Sequence, residues 1–102
     1  MATDMMVSKE ILRQLGGNRF IVMTGAKGFV GSDDALSFQL PKASKKIKGV
    51  RITLNKNDLY DLTFGYMNKK TFEWVVVASF EDVYNDNLVE IFEKTTGLYT
   101  KF

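Results

Sequence analysis

Three consecutive segments alternate apolar and polar residues, and their spacing restricts how they can pair if all the apolar side chains are to share one face. The apolar positions are Val50, Ile52 and Leu54 in residues 50–55, then Tyr60, Leu62, Phe64 and Tyr66 in 59–66, then Phe72, Trp74, Val76, Ala78 and Phe80 in 72–80. Period two marks half-buried strands, and a slip of one residue turns every side chain to the opposite face. A two-residue turn at Lys56-Asn57 sets Ile52 against Asp61, whereas the three-residue loop Lys56-Asn57-Asp58 pairs Ile52 with Leu62 and Leu54 with Tyr60. The same argument at Asn68-Lys69-Lys70 pairs Tyr66 with Phe72, Phe64 with Trp74 and Leu62 with Val76. An antiparallel meander with one apolar face follows.

The flanking segments supply the cover. In residues 4–15, Met5, Ser8, Ile11, Leu12 and Leu15 fall on one helical face, and Gly16-Gly17 ends the helix. Residues 19–24 are β-branched and aromatic and read as the first strand, broken by Gly25-Ala26-Lys27-Gly28. Phe29-Val30 extends toward a hairpin partner, and 35–40 places Leu36, Phe38 and Leu40 opposite Ser37 and Gln39, with Pro41 as the stop. A second helix is expected over 82–96, with Tyr84, Leu88, Ile91, Phe92 and Thr95 near one face, Asp82 and Asp86 near its positive end, and Gly97 closing it so that Leu98 folds back on Phe92. Helix and sheet would each leave apolar area in water at roughly 25 cal/mol per Å², so they pack together. The expected fold is α+β: a twisted antiparallel sheet of about five strands, with an N-terminal and a C-terminal helix on one face. At 102 residues and 45% hydrophobic, the chain 1–102 reads as a single domain.

The chain has no histidine and no cysteine. Ser-His and Cys-His nucleophilic catalysis, thiolate zinc sites and disulfides are thereby excluded, and the usual base near neutral pH is missing. No enzyme activity and no cofactor is expected. The carboxylates Asp33-Asp34, Asp58 with Asp61, and Glu81-Asp82 fall at turns and element ends, where Asp serves the backbone, and no calcium-loop spacing occurs. Thr24-Gly25-Ala26-Lys27-Gly28 lacks the phosphate-loop spacing and does not open a helix, so it reads as a strand-to-strand turn; the alternative is an anion-contacting loop within a wider basic surface. Apolar runs such as 74–78 are far short of the roughly 20 residues that cross a bilayer, and the start lacks a signal-peptide core. A cytoplasmic protein without membrane contact is expected.

Net charge is +2 but unevenly spread: residues 1–70 carry twelve Lys/Arg against six Asp/Glu, and 71–102 carry two against six. The densest basic stretch, 41–56, holds Lys42, Lys45, Lys46, Lys48, Arg51 and Lys56 and no acid. Lys42, Lys45, Lys46 and Lys48 can contact phosphates, joined by Arg51 and Thr53 on the sheet face away from the core and by Lys69 and Lys70 of the next basic turn. In this register Arg51 neighbours Thr63, next to Val75, so the open face is mixed polar. Nearly all aromatics fall on the core face, leaving Tyr66 and Tyr99 as candidates for exposure, whereas single-strand binders use exposed rings. A solvated loop is the alternative for the basic stretch. For the molecule, the alternative is a module that inhibits or recruits a host or defence protein through the sheet edge and the acidic segment 81–93. Homodimer pairing through that edge stays open.

The strings Leu15-Gly16-Gly17-Asn18-Arg19-Phe20 and Met23-Thr24-Gly25-Ala26-Lys27, with Ile52-Thr53-Leu54-Asn55, Asn57-Asp58-Leu59-Tyr60-Asp61, Ile91-Phe92 and Thr96-Gly97-Leu98-Tyr99, resemble small proteins encoded by bacteriophages and integrative elements. The resemblance spans most of the chain and brings no catalytic residues. It implies a setting in which small domains handle DNA or RNA, or bind and block a host protein. The order of strands followed by a final helix is also similar, more loosely, to the PC4-like single-strand-binding fold.

Overall fold

A computed structural model of the chain describes residues 6–41, 43 and 47–98. Five antiparallel strands lie side by side in chain order: β1 (Lys27–Gly31), β2 (Ala35–Gln39), β3 (Gly49–Leu54), β4 (Tyr60–Met67) and β5 (Trp74–Val83). Three helices pack on the sheet's inner face: α1 (Met6–Leu15), α2 (Asn18–Thr24) and, after a 3-10 turn at Asn85–Asn87, α3 (Leu88–Thr96). This is the expected α+β meander with helices at both ends. No helix among the described residues is long and apolar enough to cross a membrane.

The central register follows the alternation. Ile52 faces Leu62 and Leu54 faces Tyr60, and the connection is the three-residue loop Lys56-Asn57-Asp58. Asn55 builds that loop: its N–H donates to the Leu59 carbonyl at 2.8 Å, and its side-chain oxygen accepts from the N–H of Asn57 (2.8 Å) and of Leu59 (3.2 Å). Asp58 takes the left-handed conformation that ends such loops, with φ 60°. The Asn55 amide also donates to Asp61 Oδ1 at 3.0 Å and Asp82 Oδ1 at 2.8 Å, which ties the loop across β4 to the end of β5.

Three expectations are corrected. Residues 19–24 form the helix α2 and not a strand: Phe20 and Thr24 are buried one turn apart, while Val22 between them is 70% exposed. The fifth strand is instead β1, which the Gly28 bulge (φ 67°) adapts so that Phe29 packs on Phe38 at 5.3 Å while Val30 points out. The C-terminal helix begins at Leu88, not 82, because β5 runs on to Val83, and Asp82 sits at an irregularity with φ 55°. The third correction concerns the β4–β5 register. Asn68 accepts from the N–H of Lys70 (2.8 Å) and of Thr71 (3.3 Å), and its own N–H reaches the Glu73 carbonyl at 2.8 Å. The loop is therefore Lys69 to Phe72, four residues long, and Met67 pairs with Trp74 rather than Phe64. Beyond it Gly65 pairs with Val76 and Phe64 with Ala78, so Val77 is an inserted bulge residue. Ala78 and Phe80 face the core as expected, whereas Trp74 and Val76 face out and Phe72 is 79% exposed in the turn.

The core is organised by rings. Phe92 of α3 meets Phe20 of α2 at 5.1 Å, Phe38 of β2 at 6.3 Å and Phe64 of β4 at 6.4 Å; Phe20 also meets Phe38 edge-on at 5.4 Å. Such pairs add about 0.5–1.5 kcal/mol each beyond area burial. The helices α2 and α3 end alike. Thr24 and Thr96 each donate to the carbonyl four residues back at 2.8 Å and accept an N–H two residues on at 3.2 Å, and Gly25 (φ 70°) and Gly97 (φ 76°) take the left-handed cap.

Two outcomes are expected in urea unfolding. Phe92→Ala lowers stability by about 3–5 kcal/mol, because truncation empties the point where α3 meets α2, β2 and β4. Gly65→Ala costs about 1–3 kcal/mol or more, since its Cβ would stand 2.0 Å from the Val75 carbonyl oxygen.

Candidate functional site

With all three helices on one side, the other face of the sheet has no cover among the described residues. Strand register sets out its rows. One row runs Val30, Ser37, Arg51, Thr63, Ser79; the next runs Lys27, Gln39, Gly49, Gly65, Val76; Met67 and Trp74 follow on β4 and β5. Successive rows on one face stand about 7 Å apart, twice the rise per residue.

Gly49 and Gly65 are direct partners, and their missing side chains leave a gap that Trp74 fills. A Cβ on Gly49 would stand 2.8 Å from Cη2 and 3.2 Å from Cζ3 of the indole, and one on Gly65 would stand 3.2 Å from Cε2. The six-membered ring thus lies across both glycines, and Gly49 is buried beneath it. Trp74 itself remains 42% exposed.

Beside the indole lies an open groove of about 700 Å³ whose lining includes Lys27, Lys48, Arg51, Val30, Met67 and Trp74 and, among the described residues, no Asp or Glu. Lys27 and Arg51 reach it from adjacent rows. Lys48 is held at its mouth by the backbone: its N–H donates to the Gly65 carbonyl and its carbonyl accepts from the Leu40 N–H, both at 2.8 Å. The connection that delivers it is anchored by buried Leu40, Ala43 and Ile47. Among the described residues no ion pair involves Lys27, Lys48 or Arg51; the pairs there are Arg13 with Glu10 and Lys94 with Glu90. Hydrogen bonds from Arg13, then from Gln14, hold the Glu10 carboxyl down at about 2, so this acid and Arg13 largely cancel each other.

Of the residues the sequence singled out, Lys48 and Arg51 line the groove. Thr53 shares the face one row beyond Arg51, where it pairs with Asp61, and is outside the groove lining. Lys69 and Lys70 are exposed in the β4–β5 loop, at the same end of the sheet as Lys48 but outside the groove lining. Lys42, Lys45 and Lys46 lie outside the described residues. The Gly25–Gly28 turn links a helix to a strand, not two strands, and brings Lys27 to the groove. Trp74, Met67 and Val30 were not foreseen there. A signal for Trp74 was present: the β3–β4 register sets Gly49 against Gly65, and facing glycines leave a bare spot that an aromatic ring characteristically covers. No family model, curated protein or solved structure matches the chain.

Trp74 is the one tryptophan of the sequence, so its environment is directly readable. Native emission should be that of a partly hydrated indole and quenchable by acrylamide. Gly49→Ala should raise the quenching constant by lifting the ring; a blue-shifted, unquenchable emission would contradict the outward placement.

Proposed function

We propose that this chain is a non-enzymatic accessory protein of a phage or mobile element, acting in the cytoplasm, that binds nucleic acid across its uncovered sheet face. The observation that carries the reading is the union on that face of Lys27, Lys48 and Arg51, with no acid among the described groove-lining residues, beside an outward-facing aromatic ring. Cations neutralise phosphates and release their counterions, while rings accept bases. The sequence adds Lys42, Lys45 and Lys46 in the connection that ends at Lys48. The outward Trp74 also removes the objection that the rings all belong to the core.

A second reading draws on a different observation. Val76 (52% exposed) and Val77 (46%) on the edge strand β5 and Phe72 (79%) in the turn before it leave apolar side chains in water, of the kind that a host or defence protein covers.

Titration with labelled oligonucleotides separates the two. Three phosphate contacts at a slope of about −0.7 each predict a roughly 20-fold loss of affinity between about 50 and 200 mM salt. Lys48→Glu combined with Arg51→Glu should flatten that dependence and remove most binding. Absence of binding even in low salt would refute the nucleic-acid reading and leave these apolar side chains as the surface to test against host lysate.

A further inference from the structure

We infer that the groove takes single-stranded nucleic acid, with an unpaired base stacked on Trp74 and its flanking phosphates on Lys48, Arg51 and Lys27. The inference rests on the proposed function and narrows its ligand. Three features of the face lead to it.

The first is the seat of the ring. The indole is seated across Gly49 and Gly65 and is still 42% exposed, so its place on the face is built by the sheet itself. A ring already seated loses little freedom when a base lands on it, which favours stacking. The second is the character of the groove. Its volume of about 700 Å³ lies within the roughly 300–1,000 Å³ typical of small-molecule sites, and its floor is partly apolar through Met67 and Val30. Phosphate alone has no use for an apolar floor; a base does. The third is charge. Among the described residues all the charged groups lining the groove are cations, on the β1–β3 side of the ring, so a ligand with an apolar planar part and a negative backbone matches both at once.

A duplex satisfies the charges and not the ring, because its bases are stacked on one another and present no free face except at an end. Single strands, loops and flipped-out bases satisfy both.

The test uses the full chain with three probes: a short oligothymidylate, an abasic strand of the same length, and a duplex closed at both ends by non-nucleotide linkers. Trp74 emission and the anisotropy of a label on the probe are read together. The inference predicts quenching of Trp74 by oligothymidylate alone and weaker binding of the other two probes. Trp74→Ala should weaken oligothymidylate about 5- to 150-fold, the range for loss of one stacked base. Trp74→Phe should restore most of the loss, and circular dichroism should show both variants folded.

Equal, salt-dependent binding of all three probes with unchanged emission would overturn the inference and leave the proposed function standing. Failure of every probe to bind in low salt would overturn both. An emission change on simple dilution of the protein, with a dimer seen by light scattering, would also overturn it, since the face would then be covered by a second copy of the chain.

Discussion

The structure depends on where Phe92 sits. Its ring meets rings from α2, β2 and β4, so one side chain near the C-terminus joins the helical layer to the middle of the sheet. That junction confines the cover to one side. Leu36, Phe38, Val50, Ile52, Leu62 and Phe64 are satisfied by helices on the inner face, and nothing in the described chain remains for the outer one. The availability of the groove is thus a direct result of how the core closes.

What lies on the outer face is decided by bulges in the two edge strands. In β1 an extra residue near Gly28 lets Phe29 turn inward while Lys27 and Val30 both turn outward. In β5 the insertion of Val77 keeps Ala78 and Phe80 on the core while sending Trp74 and Val76 to the open side. Each bulge breaks the strict alternation of a strand, and each delivers a side chain that the groove uses. The central strands β2, β3 and β4 have no such freedom in their mutual pairing, since both neighbours fix their register.

The same distinction explains which parts were legible in the sequence. The β3–β4 pairing, its three-residue loop, the stop at Gly16-Gly17 and the cap at Gly97 follow from period and turn chemistry, and Arg51 beside Thr63 follows from that pairing. The β4–β5 register did not, because nothing in Phe72 to Phe80 marks one valine of Val75-Val76-Val77 as the extra residue; the Asn68 side chain, which lengthens the turn, decides it. For residues 19–24, strand propensity and helical burial compete. Phe20, Val22 and Thr24 share a face at period two, but Phe20 and Thr24 share one without Val22 at helical spacing, and the tertiary contacts of Phe20 chose the latter. Lys48 was legible as a cation and not as an anchored one, since burial of Leu40, Ala43 and Ile47 depends on the closed core.

The Asn55 bridge has a wider effect than closing its loop. It gathers Asp61 and Asp82 at the Leu54–Tyr60 end of the sheet, where Asp61 pairs with Thr53 one row beyond Arg51. The bridge thereby concentrates carboxylate charge beside the Arg51 row, so the field over the face is uneven from row to row.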